Sequence, residues 1–217
     1  MKTRLVLMAL VSALALSCTP RIVKVACIGD SITYGSGLEN QLEQAYPAEL
    51  QRLLGESYEV RNFGFSARCM SDSADIPYMN EEMYAEAKAF LPDVVTIKLG
   101  TNDTKPQNWN PEQYKASYEK MISEISALES KPEIFLCLPA KAFSKRWGIN
   151  DSIIVAGVIP IINELASEHK LKVIDCHSAT ENSAANFPDE IHPDVEGSAL
   201  LARTIYGTLS ENGYRKR

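Results

Sequence analysis

Gly29-Asp30-Ser31 directly follows an apolar run, and Asp189-Glu190-Ile191-His192-Pro193 lies near the opposite end of the chain. Between them they hold a hydroxyl, an imidazole and a carboxylate three residues ahead of that imidazole, the groups that activate a serine for acyl transfer. A serine hydroxyl at its free pKa is a weak nucleophile, so Ser31 matters only if the fold brings a base to it. A carboxylate placed three residues before a histidine can reach its Nδ1–H and fix the tautomer, which pairs Asp189 with His192. Ser31 also has an ordinary use, because serine is a favoured cap where a helix starts.

Two further loops carry polar residues of a useful kind. In Asn62-Phe63-Gly64-Phe65-Ser66 the glycine lets a backbone N–H approach a bound group closely, or simply makes a turn. In Gly100-Thr101-Asn102-Asp103, Asn102 can donate a side-chain N–H to an oxyanion, although asparagine is also a routine turn residue. Only three histidines exist. His169 sits in Ser-Glu-His-Lys at a helix end, where water solvates it. His177 competes with His192 as base, but Asp175 two positions earlier points the same way along a strand and cannot clasp it. Asp30, beside the serine, and Trp109 are the candidate substrate contacts. Trp109 and also Trp147 offer flat surfaces on which a sugar ring could pack, and either could equally be core or rim packing. The chain holds no His-Glu-x-x-His, no paired Cys-x-x-Cys and no Gly-x-x-x-x-Gly-Lys-Ser/Thr, so no motif calls for a metal or a cofactor.

Those loops need a frame to bring them together. Short runs rich in Val and Ile at 22–28, 59–63, 94–99, 134–138 and 172–175 read as strands. Near-continuous apolar stretches such as Val94-Val95-Thr96-Ile97 suit strands buried on both faces, as in a parallel sheet. Helical patterns fill 48–54, 81–90, 111–128, 151–169 and 193–209. Asn110 and Pro111 open the third of these, and Pro160 is expected to kink the fourth. Alternating strands and helices with right-handed crossovers predict a three-layer α/β/α sandwich around a parallel sheet in the order 2-1-3-4-5. In such sheets ligands bind beyond the carboxyl ends of the strands, where the loops named above begin.

With 217 residues the chain fits one domain after a leader. Lys2 and Arg4 precede an apolar stretch from 5 to 16, too short to span a bilayer, and Ser17-Cys18 follows. Residues 1–18 therefore read as an export signal and 19–217 as the domain. Cys18 resembles the lipidated cysteine of a bacterial lipoprotein box, which implies a membrane-anchored protein facing the periplasm or cell surface; without lipid it would be secreted or periplasmic. Net charge is −6, and loss of Lys2 and Arg4 would make it −8. That balance argues against nucleic acid and against an anionic membrane surface as partners, leaving an N-terminal lipid as the one membrane link. Cys27, Cys69, Cys137 and Cys176 lie mostly in apolar runs and read as reduced core residues.

Gly-Asp-Ser at 29–31, Gly64 in Asn-Phe-Gly-Phe-Ser, Gly-Thr-Asn-Asp at 100–103 and Asp-x-x-His-Pro at 189–193 resemble, in order, the four blocks of the SGNH or GDSL hydrolases. The resemblance covers residues 22 to about 209 and implies a flavodoxin-like fold and a serine esterase. It implies Ser31 as nucleophile, His192 as base, Asp189 as the acid that orients it, and an oxyanion hole made by the N–H groups of Ser31 and Gly64 with the Asn102 side chain. The second block of that family often ends in Ser-Gly, where this chain has Ser66-Ala67. The stretch from Gly100 to Trp109 is similar to members acting on acetylated carbohydrates. The expected substrate is thus a small-molecule or oligosaccharide ester, with O-acetyl sugars favoured. A lysophospholipase or thioesterase would want a longer apolar groove. A non-catalytic carbohydrate-binding module on the same fold would not need all four blocks.

Overall fold

The computed structural model describes residues 21–216; the leader read at 1–18 and Cys18 lie outside them. Five strands, β1 (Val23–Gly29), β2 (Tyr58–Gly64), β3 (Val94–Lys98), β4 (Glu133–Cys137) and β5 (Lys172–Ile174), form one sheet in the order 2-1-3-4-5. Every pairing is parallel. The helices are α1 (Ser31–Tyr34), α2 (Gln41–Gln44), α3 (Tyr46–Leu54), α4 (Glu82–Ala89) and α5 (Pro111–Ser126), then α6 (Asp151–Ile153), α7 (Ile159–His169), α8 (Cys176–Thr180) and α9 (Val195–Glu211).

Side chains alternate across β1. Val25 and Cys27 join the core beneath α3 and α9, with Leu50, Leu54, Ile205 and Leu209. Ala26 and Ile28 join the core beneath α4, α5 and α7, with Tyr118, Ile122, Ile162 and Leu165. Period-two alternation in the strands thus meets helical stripes on both sides, which is the expected three-layer sandwich. The caps follow the sequence too: Asn110 accepts from the Gln113 N–H at 3.1 Å to start α5, and Asp194 accepts from Gly197 at 2.9 Å to start α9, each worth about 1 kcal/mol.

The predicted kink at Pro160 takes another form. A π-helical turn at Ile154–Val158 joins α6 to α7, and Pro160 falls in the first turn of α7. Proline has no N–H and its ring crowds the preceding turn, and the wider π turn makes room for it. Cys27, Cys69, Cys137 and Cys176 are free thiols and buried. Burial pushes the Cys27 thiol up to about 12, which keeps it protonated and unreactive.

Register fixes where the loops emerge. Gly29 pairs with Gly64 on one side and with Lys98 on the other, so β1, β2 and β3 end level. The turns that leave them open side by side at one sheet edge.

Candidate active site

Leaving β1, the chain turns at once into α1. A Cβ at Gly29 would lie 2.0 Å from Thr33 Oγ1, so only glycine lets the helix fold back this tightly. Asp30 caps α1, its Oδ1 accepting from the Ile32 N–H at 3.0 Å. Ser31 is therefore not the cap, and its hydroxyl is left for other work. Ser31 Oγ lies 2.9 Å from His192 Nε2, and His192 Nδ1 lies 2.7 Å from Asp189 Oδ2. Asp189 Oδ1 also accepts from the N–H groups of Ile191 and His192, at 3.0 and 2.6 Å. Backbone and imidazole are thus held by one carboxylate. Desolvation works to raise the Asp189 pKa, but the His192 N–H, its imidazole and the Ile191 N–H outweigh it and hold the carboxyl below its usual range. An ionised carboxylate can only accept, so Nδ1 carries the proton and Nε2 is left to accept from the Ser31 hydroxyl. The rival base lies elsewhere: His177 Nε2 pairs with Asp151 Oδ1 at 3.1 Å, and His169 is exposed at the end of α7.

Asp30 does not touch the substrate space. It is fully buried, and besides capping α1 it pairs with Lys98 Nζ at 3.5 Å, a lysine that is fully buried as well. The expectation of a substrate contact fails because the strand end turns this side chain inward, beneath the serine. Asp103 is the second buried carboxyl here. It accepts from the N–H groups of Met70 and Ser71 at 3.0 and 2.8 Å, which ties the loop after β2 to the turn that carries Asn102.

Ser31, His192, Asn102, Ser66 and Ala67 line one cleft of about 310 Å³. Asn102 sits where expected, nearly buried, with its Nδ2 also donating to the Arg68 carbonyl at 3.2 Å. Gly64 does not line this cleft, and its N–H donates to Asn62 Oδ1 at 2.8 Å. Its lack of a side chain serves packing instead, since a Cβ there would come within 2.2 Å of the Tyr34 backbone nitrogen. Ala67 lines the cleft where Gly64 does not. It adopts the left-handed conformation at φ 67°, and no described residue accepts its N–H. The Ser66-Ala67 departure from Ser-Gly was the one signal in the sequence that pointed to it.

The tryptophans exchange roles. Trp109 packs on Tyr114, with ring centroids 5.9 Å apart, and against Gly157 in the π turn. It belongs to the core margin and does not line the cleft. Trp147 does line it, together with Lys105 and Ile149, and its ring centroid lies 5.3 Å from that of His192. Among the described residues no group of three or more His, Cys, Asp or Glu is placed to hold a metal ion.

A sequence model of the GDSL-like Lipase/Acylhydrolase family matches residues 27–200. An acetylxylan esterase of Xylanibacter ruminicola is 41% identical over 206 residues, covering 86% of this chain and 43% of that protein. The chain spans less than half the length of the curated relatives it matches. Among solved structures, a lipase/acylhydrolase from Enterococcus faecalis superposes with TM-score 0.71 at 26% identity, covering 90% of this chain and all of that one. A carbohydrate acetylesterase from Sinorhizobium meliloti gives TM-score 0.71 at 21% identity, covering 88% of this chain and 99% of that one.

Proposed function

The chain belongs to the GDSL-like lipase/acylhydrolase family, and from that membership we propose that it is a serine esterase removing O-acetyl groups from carbohydrates. The observation that carries the reading is the unbroken relay from Asp189 through His192 to Ser31, at 2.7 and 2.9 Å. The similarity to an acetylxylan esterase supports the acetylated carbohydrate as substrate.

In this reading His192 Nε2 takes the Ser31 proton as Oγ attacks the ester carbonyl. Asp189 keeps the tautomer and stabilises the imidazolium that forms. The N–H groups of Ser31 and Ala67 and Nδ2 of Asn102 receive the oxyanion, and each such donor is worth about 100- to 1,000-fold in rate. The imidazolium then protonates the sugar oxygen as its bond to the acyl carbon breaks, which frees the sugar hydroxyl and leaves acetyl on Ser31. Water enters, gives its proton to the same imidazole, and releases acetate.

A panel of p-nitrophenyl acetate, p-nitrophenyl octanoate and acetylated xylan, offered to wild type and Ser31→Ala, tests this. The expected result is preference for acetate over octanoate, release of acetate from xylan, and loss of all three activities in the variant. Preference for octanoate would move the reading to a lipid esterase. Equal hydrolysis by both proteins would end the serine-esterase reading, and no hydrolysis by either would favour a binding module.

The leader supports export with lipid on Cys18 as part of the same proposal. Recovery of native protein in the soluble fraction with an unmodified N-terminus would overturn the lipid.

A further inference from the structure

We propose that Trp147 is the residue by which this site distinguishes a sugar ester from a simple one, its indole forming the platform for the pyranose ring that bears the acyl group. This rests on the reading of the cleft as an O-acetyl esterase site. The face of a pyranose that presents axial C–H groups is apolar and flat, and it packs on an aromatic ring while the hydroxyls stay free for polar partners. Such a platform must be an aromatic side chain that is rigid, uncovered and within one sugar ring of the nucleophile.

Trp147 meets each requirement. Its centroid is 5.3 Å from the His192 imidazole, and it shares the cleft with Ser31. A ring resting on it can therefore direct an acylated hydroxyl toward Ser31 Oγ. Its side chain is left largely open, with 53% of the residue exposed, while Ile149 two positions on is buried. Of the large apolar residues exposed among the described ones, Trp147 alone lines this cleft. An apolar surface left open beside a reactive serine is what a ligand with a flat apolar face would cover.

Its backbone is also in an unusual state. Trp147 adopts φ 53° and ψ 20°, the left-handed region that a bulky residue rarely occupies. Burial does not explain this, because the side chain gains little of it. Bonds on either side hold the loop in place. Ala142 N–H donates to Asp151 Oδ1 at 3.0 Å, Phe143 N–H to the Glu190 carbonyl at 2.9 Å, and Asn150 N–H to Thr104 Oγ1 at 3.0 Å. Two of these bonds reach the loops that carry His192 and Asn102, so the indole is set relative to the reacting groups. The Arg146 guanidinium lies over one face of the ring, 4.6 Å from its centroid, so a sugar would pack on the face that stays open, and Lys105 lines the same cleft. Such strain, retained where the fold does not need it, marks a ligand-facing position.

The test compares kcat/KM on an O-acetylated xylo-oligosaccharide with kcat/KM on ethyl acetate, which has no ring to stack. Trp147→Ala is expected to lower the ratio of the two by about tenfold or more, through KM on the saccharide. Trp147→Phe, which keeps a flat ring, should restore most of the ratio. An unchanged ratio in Trp147→Ala, including an equal fall on both esters, would overturn the proposal, because the indole would then act only by supporting His192. Wild type inactive on both esters would overturn the esterase reading, and this inference with it. For a readout independent of chemistry, the inactive Ser31→Ala protein should bind the saccharide several-fold more tightly than Ser31→Ala with Trp147→Ala. Equal affinities would again overturn the proposal.

Discussion

Asp103, next to Asn102, and Asp189, behind His192, perform the same architectural task, yet only one of them faces a proton that can move. Each carboxylate accepts two successive backbone N–H groups and so fixes a loop. Asp103 is fully buried, and desolvation raises its carboxyl from the ordinary 3.8 to about 6, against the pull of its backbone donors. Asp189 is partly open to solvent and meets His192 at 2.7 Å, so its carboxyl is lowered although desolvation works the other way. The same side chain is a strut where it is sealed from water and an orienting acid where an imidazole and some solvent reach it. Asp30 sides with Asp103: buried, capping α1 and paired with Lys98. The inner wall of the site thus holds charge fixed, and the outer wall leaves Ser31, His192 and Trp147 accessible.

The largest effect that can break this comparison is on rate. Asp189→Asn would still let one oxygen accept from the backbone, but its amide would donate to Nδ1 and force the proton onto Nε2. A fall in kcat of about 10³- to 10⁴-fold with little change in KM is expected. A loss under tenfold would mean that Asp189, like Asp103, only holds a loop.

A second effect lies in stability and its dependence on pH. Between 3.8 and about 6 folded Asp103 binds more protons than the unfolded chain, so its contribution to stability falls as pH rises through that window. Asp103→Asn loses an acceptor and should be less stable than wild type at pH 4. The gap should then narrow by up to ~3 kcal/mol by pH 8. For Asp189 the sign reverses. Its lowered carboxyl stabilises the fold at neutral pH and loses that as pH falls, so Asp189→Asn should approach wild type toward acid. Denaturant unfolding from pH 4 to 8 checks both, and gaps that moved in the same direction would erase the distinction.

The smallest effect concerns Ala67. Glycine relieves the cost of φ 67° and keeps the N–H, so Ala67→Gly should hold kcat/KM within about threefold and change stability by ~1 kcal/mol or less. A hundredfold loss in kcat would show that the methyl, and not the N–H, matters at this position.

Much of this was readable from the chain. Short β-like runs placed all five strands within a residue or two, most plainly β1, β3 and β4, because a strand buried on both faces leaves an unbroken hydrophobic signature, whereas the edge strands β2 and β5 are partly exposed. Asp189 and His192 were readable as a pair, since their contact is local and three residues set it. Directions into and out of the site were not. Asp30 adjoins Ser31 in sequence, but the turn at Gly29 sends one inward and the other to the cleft. Gly64 carries no mark of direction either, because a glycine required by the close approach of α1 looks, in sequence, like one that presents an N–H. Trp109 and Trp147 both follow strands at the correct edge. Only the packing of Trp109 on Gly157, a residue some fifty positions away, separates them.

Everything in the outer wall depends on Ser31 being the nucleophile. The most direct measurement treats the native protein with a fluorophosphonate, which captures only a serine activated as this relay requires, and locates the adduct by peptide mass spectrometry while activity is followed in parallel. The expected result is a single adduct on the peptide containing Ser31, with esterase activity lost in proportion and no labelling of Ser31→Ala. Activity that survives complete labelling of Ser31, or that is lost with the adduct on another residue, would contradict the account.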